Sequence, residues 1–282
     1  MARYKLTLEY SGARYSGWQI QRNARTVQGE LHRTLKDIAK GGHLQTYGAG
    51  RTDAGVHALG QVAHVDLAAD LPAGTLVQRI NDGLPYDINV LGGERVPARF
   101  HARHSAVARS YLYQIALRRS AFAKPFVWWV REALDLDAMR AAAGPLLGLT
   151  DFRAFTDDDP EEKSTRVLLD RVEIQRHGSL VLVRVVGSHF LWRMVRRLVG
   201  VLAGVGRREL SAADMPRLLA ARSDLPARLT APASGLFLEQ VFYEEPVPVL
   251  PLVPALFRAG DESRGFGLSP NPVTNVQFPS QF

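Results

Sequence analysis

Residues 3–10 alternate without a break. Tyr4, Leu6, Leu8 and Tyr10 fall on one side, Arg3, Lys5, Thr7 and Glu9 on the other. Successive strand side chains point to opposite faces, so this segment is a strand with one face in a core. The N-terminus is thereby committed to a sheet. Thr26 stands as an N-cap before Val27, Leu31, Leu35 and Ile38, which recur at helical spacing. Strands are predicted near 44–49 and 56–67, a short helix over 75–82, and a strand over 88–96. The second half repeats this order. Tyr111, Tyr113, Ile115 and Leu117 alternate as a strand, and Asp135 or Asp137 caps a helix running to about 147. Segments 172–176 and 180–186 form a hairpin turning near Gly178. A long helix spans about 189–205, and 236–243 is a last strand. Each half therefore reads strand, helix, strand, strand, helix, strand, the split ferredoxin-like (RRM-like) pattern. The expected class is α+β: an N-terminal half over 1–104 and a C-terminal half over 105–245, with their sheets side by side, largely antiparallel, and a cleft between them.

From 246 the chain is punctuated by Pro246, Pro248, Pro251 and Pro254, then Pro270, Pro272 and Pro279. Proline blocks regular ladders, so 246–282 is expected to be an irregular tail whose apolar residues dock on the body or a partner. No segment approaches a membrane span. The first ten residues lack the apolar core of a secretory signal, which predicts a cytoplasmic protein. The chain has no cysteine, which excludes disulfides, thiolate metal sites and a cysteine nucleophile. The spacing of His57, His64, His101 and His104 matches no standard zinc motif, so no metal is expected. Lys plus Arg number 35 against 28 Asp plus Glu, a net charge of +7. That surplus favours a polyanionic partner such as nucleic acid.

The densest string is Gly48-Ala49-Gly50-Arg51-Thr52-Asp53-Ala54-Gly55-Val56-His57. Its glycines permit a tight path between two strands, with Asp53 at the centre. On residue chemistry alone, an Asp beside Gly is turn chemistry, its carboxylate bonding nearby amides.

The continuation to Ala58-Leu59-Gly60-Gln61-Val62 closely resembles the signature loop of the tRNA pseudouridine synthase A (TruA) family. Further stretches match in order: Tyr10 to Gln21, Leu84-Pro85-Tyr86-Asp87-Ile88, Phe100-His101-Ala102-Arg103, Asp151-Phe152 with Phe155, Phe190-Leu191 with Met194-Val195-Arg196, and Thr230-Ala231-Pro232 with Gly235-Leu236. The likeness covers about residues 3–243. It departs in two places, with Ser11 where the family has Asp and Ser110 where it has a second Arg before Tyr111.

The resemblance implies the pseudouridine synthase fold, with an RNA-binding cleft, and conversion of uridine to pseudouridine at positions 38 to 40 of the tRNA anticodon arm. It also implies a homodimer. The reaction oxidises nothing and imports no group, so no cofactor is expected. Asp53 is implied as nucleophile, Arg196 as its cation and Tyr111 as the residue packed on the target base. Burial penalises a charge, so a carboxylate that must stay ionised needs such a cation. On the helical wheel Arg196 and Arg197 occupy the two flanks of the 189–205 helix, and only the motif separates them. A stacked base must be flipped out to be reached, and the resemblance places Arg51 in the space it leaves. Arg103 and Arg109 are candidate substrate contacts, and Arg22, Arg25, Arg193, Arg197, Arg207 and Arg208 candidate phosphate contacts. Two rival functions stand against this: a non-catalytic RNA-binding protein on the same scaffold, and a hydrolase pairing Asp53 with Asp66.

Overall fold

In the computed structural model, which describes residues 1–221 and 223–255, the opening alternation becomes β1 (Ala2–Tyr10), whose Tyr4, Leu6 and Leu8 are fully buried. Thr26 Oγ accepts the Gly29 N–H at 3.2 Å and starts α1 (Val27–Ala39). β2 (Leu44–Gly48), β3 (His57–Leu67), α2 (Ala73–Gly83) and β4 (Ile88–Arg95) complete the first half. The second contains β5 (Ala108–Ala116), β6 (Trp128–Trp129), α3 (Leu136–Ala143), β7 (Gly148–Asp151), β8 (Arg166–His177), β9 (Leu180–Gly187), α4 (Met194–Gly206), the short α5 (Asp214–Ala220) and α6 (Leu225–Arg228), and β10 (Leu236–Phe242). Asp135, not Asp137, caps α3 by accepting the Ala138 N–H.

The strands form one sheet in the order β4-β1-β3-β10-β5-β9-β8-β7, with β2 also on β3 and β6 on β5. Within each half the order is the ferredoxin one, fourth-first-third-second. The two halves meet at a short junction. β2 covers β3 only from Ala63 to Leu67, which leaves His57 and Ala58 free to pair in parallel with Phe237 and Leu238 of β10. Apart from this junction and the β5–β6 pair, the ladders are antiparallel. A single apolar core runs along one face, from Leu6, Leu31 and Ile80 to Tyr113, Val183 and Leu202. Each large apolar side chain sealed there contributes about 1.5–3 kcal/mol.

The opposite face of the C-terminal half is covered too. Ala255 and Leu252 pack on Leu112, Leu182 and Phe237, while Val247 and Leu250 pack on Ala108, Val186 and Phe242. The first ten residues of the expected tail are therefore an irregular strap docked on the sheet, and 256–282 lie outside the described residues. The strap explains why all nine positions of β5 are buried.

The long helix starts at Met194, later than its sequence pattern predicts. Arg193 has a left-handed backbone (φ 61°), which ends any helical run preceding it. Among the described residues no helix is long and apolar enough to cross a membrane.

Candidate active site

The loop between β2 and β3 is held from several sides. Trp18 N–H donates to Thr52 O at 3.0 Å, Gly55 N–H to Tyr15 O at 3.3 Å, and Val56 N–H to Asp53 O at 3.1 Å. Gly17 makes this approach possible: its φ is +91°, and a Cβ there would lie 2.5 Å from Thr52 O. From beneath, the buried Tyr10 hydroxyl meets Thr52 Oγ at 2.8 Å, and Gln61 Nε2 donates to Gly50 O at 3.0 Å. The period-two pattern placed Tyr10 in the core but carried no sign that its hydroxyl reaches this loop. Gly55 (φ +78°) supplies the left-handed turn after Asp53, whereas nothing crowds Gly50.

This frame presents the Asp53 carboxylate to Arg196 on the first turn of α4, with Nη1 3.6 Å from Oδ2. Both side chains are mostly shielded, 26% and 18% exposed. Arg196 is itself clamped: its Nε donates to Ala231 O at 2.8 Å, and its carbonyl accepts the Ala231 N–H at 3.0 Å. Gly200, one turn on, lets residues 229–231 lie against the helix, since a Cβ there would overlap Leu229 O. Arg197 leaves the other flank. It is 4% exposed, donates to Thr156 O at 2.6 Å and pairs with Asp157, so it is not a free phosphate ligand. Four other candidates for phosphate contact are also paired: Arg25 with Glu30, Arg193 with Asp157, Arg207 with Glu209 and Arg208 with Asp135.

Asp53 and Arg196 line a cleft of about 910 Å³ whose walls also include Arg51, Tyr111, Arg103 and Arg109. Tyr111 is 9% exposed and meets Phe190 edge-on, ring centres 4.9 Å apart. Burial pushes its phenol well above the ordinary range, helped by Tyr10 and by the Asp53 carboxylate. It therefore stays protonated. Arg51 is exposed and, among the described residues, has no carboxylate partner. Arg109 is almost buried and spends its donors on the carbonyls of Ala49, Ala106, Arg103 and Ser188, fixing the cleft wall while its charge stays uncancelled by any acid among the described residues. Arg103 lies exposed beside it. Ser110, the departure from the family pattern, is buried on the opposite face, where it donates to Glu239, so the substitution does not touch the cleft.

Three further groups on the cleft wall carry no sequence signal: His189, Trp192 and the acidic segment around Asp158, which accepts the Trp192 N–H and the Lys163 ammonium. Asp66 is not in the cleft. It is held by two 2.6 Å bonds from Arg3 at the far end of β3, which removes the geometric basis of the hydrolase reading.

His57, at the start of β3, is 1% exposed. Its Nδ1 accepts the Gly12 N–H at 3.1 Å, and its Nε2 lies 2.9 Å from Pro125 O. Together these require the neutral ring protonated at Nε2. Burial lowers its pKa to about 4, against an ordinary 6.5. A neutral buried histidine stabilises the fold fully above pH 6.5, and that stability is lost as pH falls from about 6.5 to about 4. The loss is up to about 3 kcal/mol, with a slope of at most about 1.4 kcal/mol per pH unit. His64, lowered to about 4 by burial and by Arg3, acts in the same direction. In denaturant titrations over this range, His57→Gln will flatten the pH dependence by up to one proton. An unchanged slope would show that His57 does not titrate on unfolding.

Comparison with known proteins matches residues 142–244 to a family model described as tRNA pseudouridine synthase. A tRNA pseudouridine synthase A of Rhodopseudomonas palustris (strain BisB18) is 45% identical over 246 residues, covering 86% of this chain and 100% of the relative. The protein of the same name from Bradyrhizobium diazoefficiens is 44% identical with the same coverages, and that of Nitrobacter winogradskyi is 43% identical over 88% of this chain and 98% of the relative. A solved structure titled "Crystal Structure of a Cbf5-Nop10-Gar1 Complex" superposes over 71% of this chain and 54% of its own at 12% identity and a TM-score of 0.29, a likeness too slight to bear on the fold. Identity above two fifths along the full length of such relatives establishes that the chain belongs to the tRNA pseudouridine synthase A family.

Proposed function

We propose that this protein isomerises uridine to pseudouridine in the anticodon stem-loop of tRNA, at positions 38 to 40, with Asp53 as nucleophile. The observation that carries the reading is the Asp53–Arg196 pair, held by backbone on both sides in a cleft where Arg51, Arg103 and Arg109 have no carboxylate partner among the described residues. Arg196 sets a guanidinium beside the carboxylate in a shielded site. The isomerisation breaks the N1–C1′ glycosidic bond, forms C5–C1′, releases the C5 proton and takes up a proton at N1. A carboxylate beside a glycosidic bond stabilises the cleaved state, as in a retaining glycosidase. The detached base must then turn and recombine before water intervenes, which a narrow shielded site favours. Tyr111 and Phe190 form the wall against which the base packs, and Arg51 fills the gap left in the stem. The two halves, divided near residues 104–105, act as opposing walls. No cofactor or metal enters this scheme. The family resemblance supports a cytoplasmic homodimer in which one tRNA touches both subunits; sedimentation of the free protein as a monomer at micromolar concentration would remove that part.

The test is tritium release from a tRNA transcript labelled at uridine C5, with the product mapped. Release together with pseudouridine in the anticodon arm is expected. A folded protein that binds tRNA and releases nothing would instead be an RNA-binding protein on this scaffold.

Tyr111→Phe keeps the ring and removes the hydroxyl. Because the phenol is protonated and close to Asp53, its hydroxyl is placed to relay the C5 proton. Single-turnover product formation is expected to slow about 100-fold, with tRNA affinity within two-fold. An unchanged rate would leave Tyr111 a packing role only.

A further inference from the structure

One end of the sheet carries positive charge that no acid among the described residues answers. Between Leu117 and Val130 the chain holds Arg118, Arg119 and Lys124 and no carboxylate, and Arg131 follows, with Glu132 beyond it. All four cations are exposed. Arg176 joins them from the tip of the β8–β9 hairpin, which touches this segment where Leu117 N–H donates to Ser179 O at 2.8 Å. Among the described residues, none of the five forms an ion pair. Elsewhere on the surface Arg140, Arg153 and Arg217 each have one. The same end exposes aromatic rings. Phe122 is 93% exposed and Trp129 45%, with the Arg119 guanidinium 6.0 Å from the Trp129 ring centre. Cations for phosphates, interleaved with open ring faces for bases, is the chemistry of an RNA-binding surface.

This end is continuous with the cleft. Leu236 and Leu238 of β10 pair with Tyr113 and Tyr111, and β6 takes over the same edge of β5 at Ile115 and Ala116. Ser234 Oγ donates to Val127 O at 3.1 Å, two residues before Leu236 reaches the cleft wall. Five residues of strand separate Tyr111 from Ala116, about 17 Å. An RNA seated on Tyr111 therefore has the patch within reach.

We propose that residues 118–131, with Arg176, form a second RNA-contact surface that binds phosphates and an unpaired base of the same tRNA whose uridine occupies the cleft. The proposal rests on reading the cleft as a tRNA site. The test is tRNA binding as a function of salt, with single-turnover tritium release at saturating tRNA. R118A/R119A is expected to weaken binding about ten-fold at moderate salt and to lower the slope of log Kd against log salt by about 1.5–2, as loss of two phosphate contacts requires. The saturated rate stays unchanged, and R118K/R119K restores the slope. Phe122→Ala weakens binding about five-fold or more while leaving the slope as it was, because stacking releases no counterions. Unchanged affinity and slope in these variants would overturn the proposal and turn the patch over to another partner, such as an acidic protein surface. A wild type that binds tRNA yet releases no tritium would instead sink the isomerase reading, and the binding arm would still decide the patch.

Discussion

Asp53→Asn is expected to reduce pseudouridine formation by at least about 10⁴-fold, the scale on which removal of an essential nucleophile acts, while tRNA affinity stays within a few-fold. Asn keeps the size and one acceptor oxygen but loses the charge and the nucleophilic lone pair. Stability should barely change. The Asp53–Arg196 contact is 3.6 Å long and both groups keep some access to solvent. Pairs of that kind contribute up to about 1 kcal/mol. The loop does not depend on the carboxylate for its shape. It is held by Trp18, Tyr15, Tyr10 and Gln61 through backbone and hydroxyl contacts at Thr52, Gly55 and Gly50. Binding also survives, because removing a negative charge from a basic cleft does not repel RNA. The measurement is single-turnover tritium release beside a filter-binding isotherm and a thermal melt for both proteins. Turnover within ten-fold of wild type would remove Asp53 from its role, and a collapsed melt would mean that the carboxylate holds the loop after all.

The ease of reading the fold varied with how evenly each element meets water. β1 shows its period because one face is sealed and the other half-open, so the residues themselves alternate. β5 is sealed on both faces, by the core and by residues 246–255, so its buried Arg109 and Ser110 break the apolar alternation and hide its start at Ala108. In α4 the spacing of Leu191, Val195, Leu198 and Leu202 runs straight through the break at Arg193, so the pattern overshot by five residues. The candidate site was legible only through its resemblance. Asp53 and Arg196 lie in different halves and meet because β10 crosses to pair with β3 and the 229–231 segment clamps α4. No periodicity encodes that. The wheel gave Arg196 and Arg197 equal standing, and the difference arose from a long-range partner, Asp157, in a loop whose acidic run had no local reason to be near α4.

The largest effect on stability lies on the other face of the sheet. Glu239 is fully buried, and its carboxylate grips Arg184 through Nε–Oε2 at 2.8 Å and Nη2–Oε1 at 3.0 Å, while accepting the Ser110 hydroxyl at 2.5 Å. Arg184 uses its remaining donors on Glu173 and on the carbonyls of Leu250 and Pro251. All five guanidinium N–H groups are thus satisfied. Such a pair adds little over an apolar replacement, because desolvating both charges offsets their attraction. Removing one member is different, because it strands a buried charge. Glu239→Ala should therefore cost about 3–5 kcal/mol, a fall in Tm of roughly 10 °C for a chain of this size. Arg184→Met with Glu239→Leu should recover most of that loss. The activity of the folded fraction should stay near wild type, since Ser110, Arg184 and Glu239 face away from Tyr111. Ending the chain at 245 acts through the same group: it takes away the Leu250 and Pro251 carbonyls and uncovers Leu112 and Leu182, whereas ending it at 255 leaves the strap in place. Denaturant melts of the four variants, with tritium release measured well below each midpoint, separate the two roles. A Glu239→Ala protein as stable as wild type would show that Glu173 and the strap suffice to hold Arg184. A stable protein with a lost rate would mean that the buried pair reaches through β10 to the cleft.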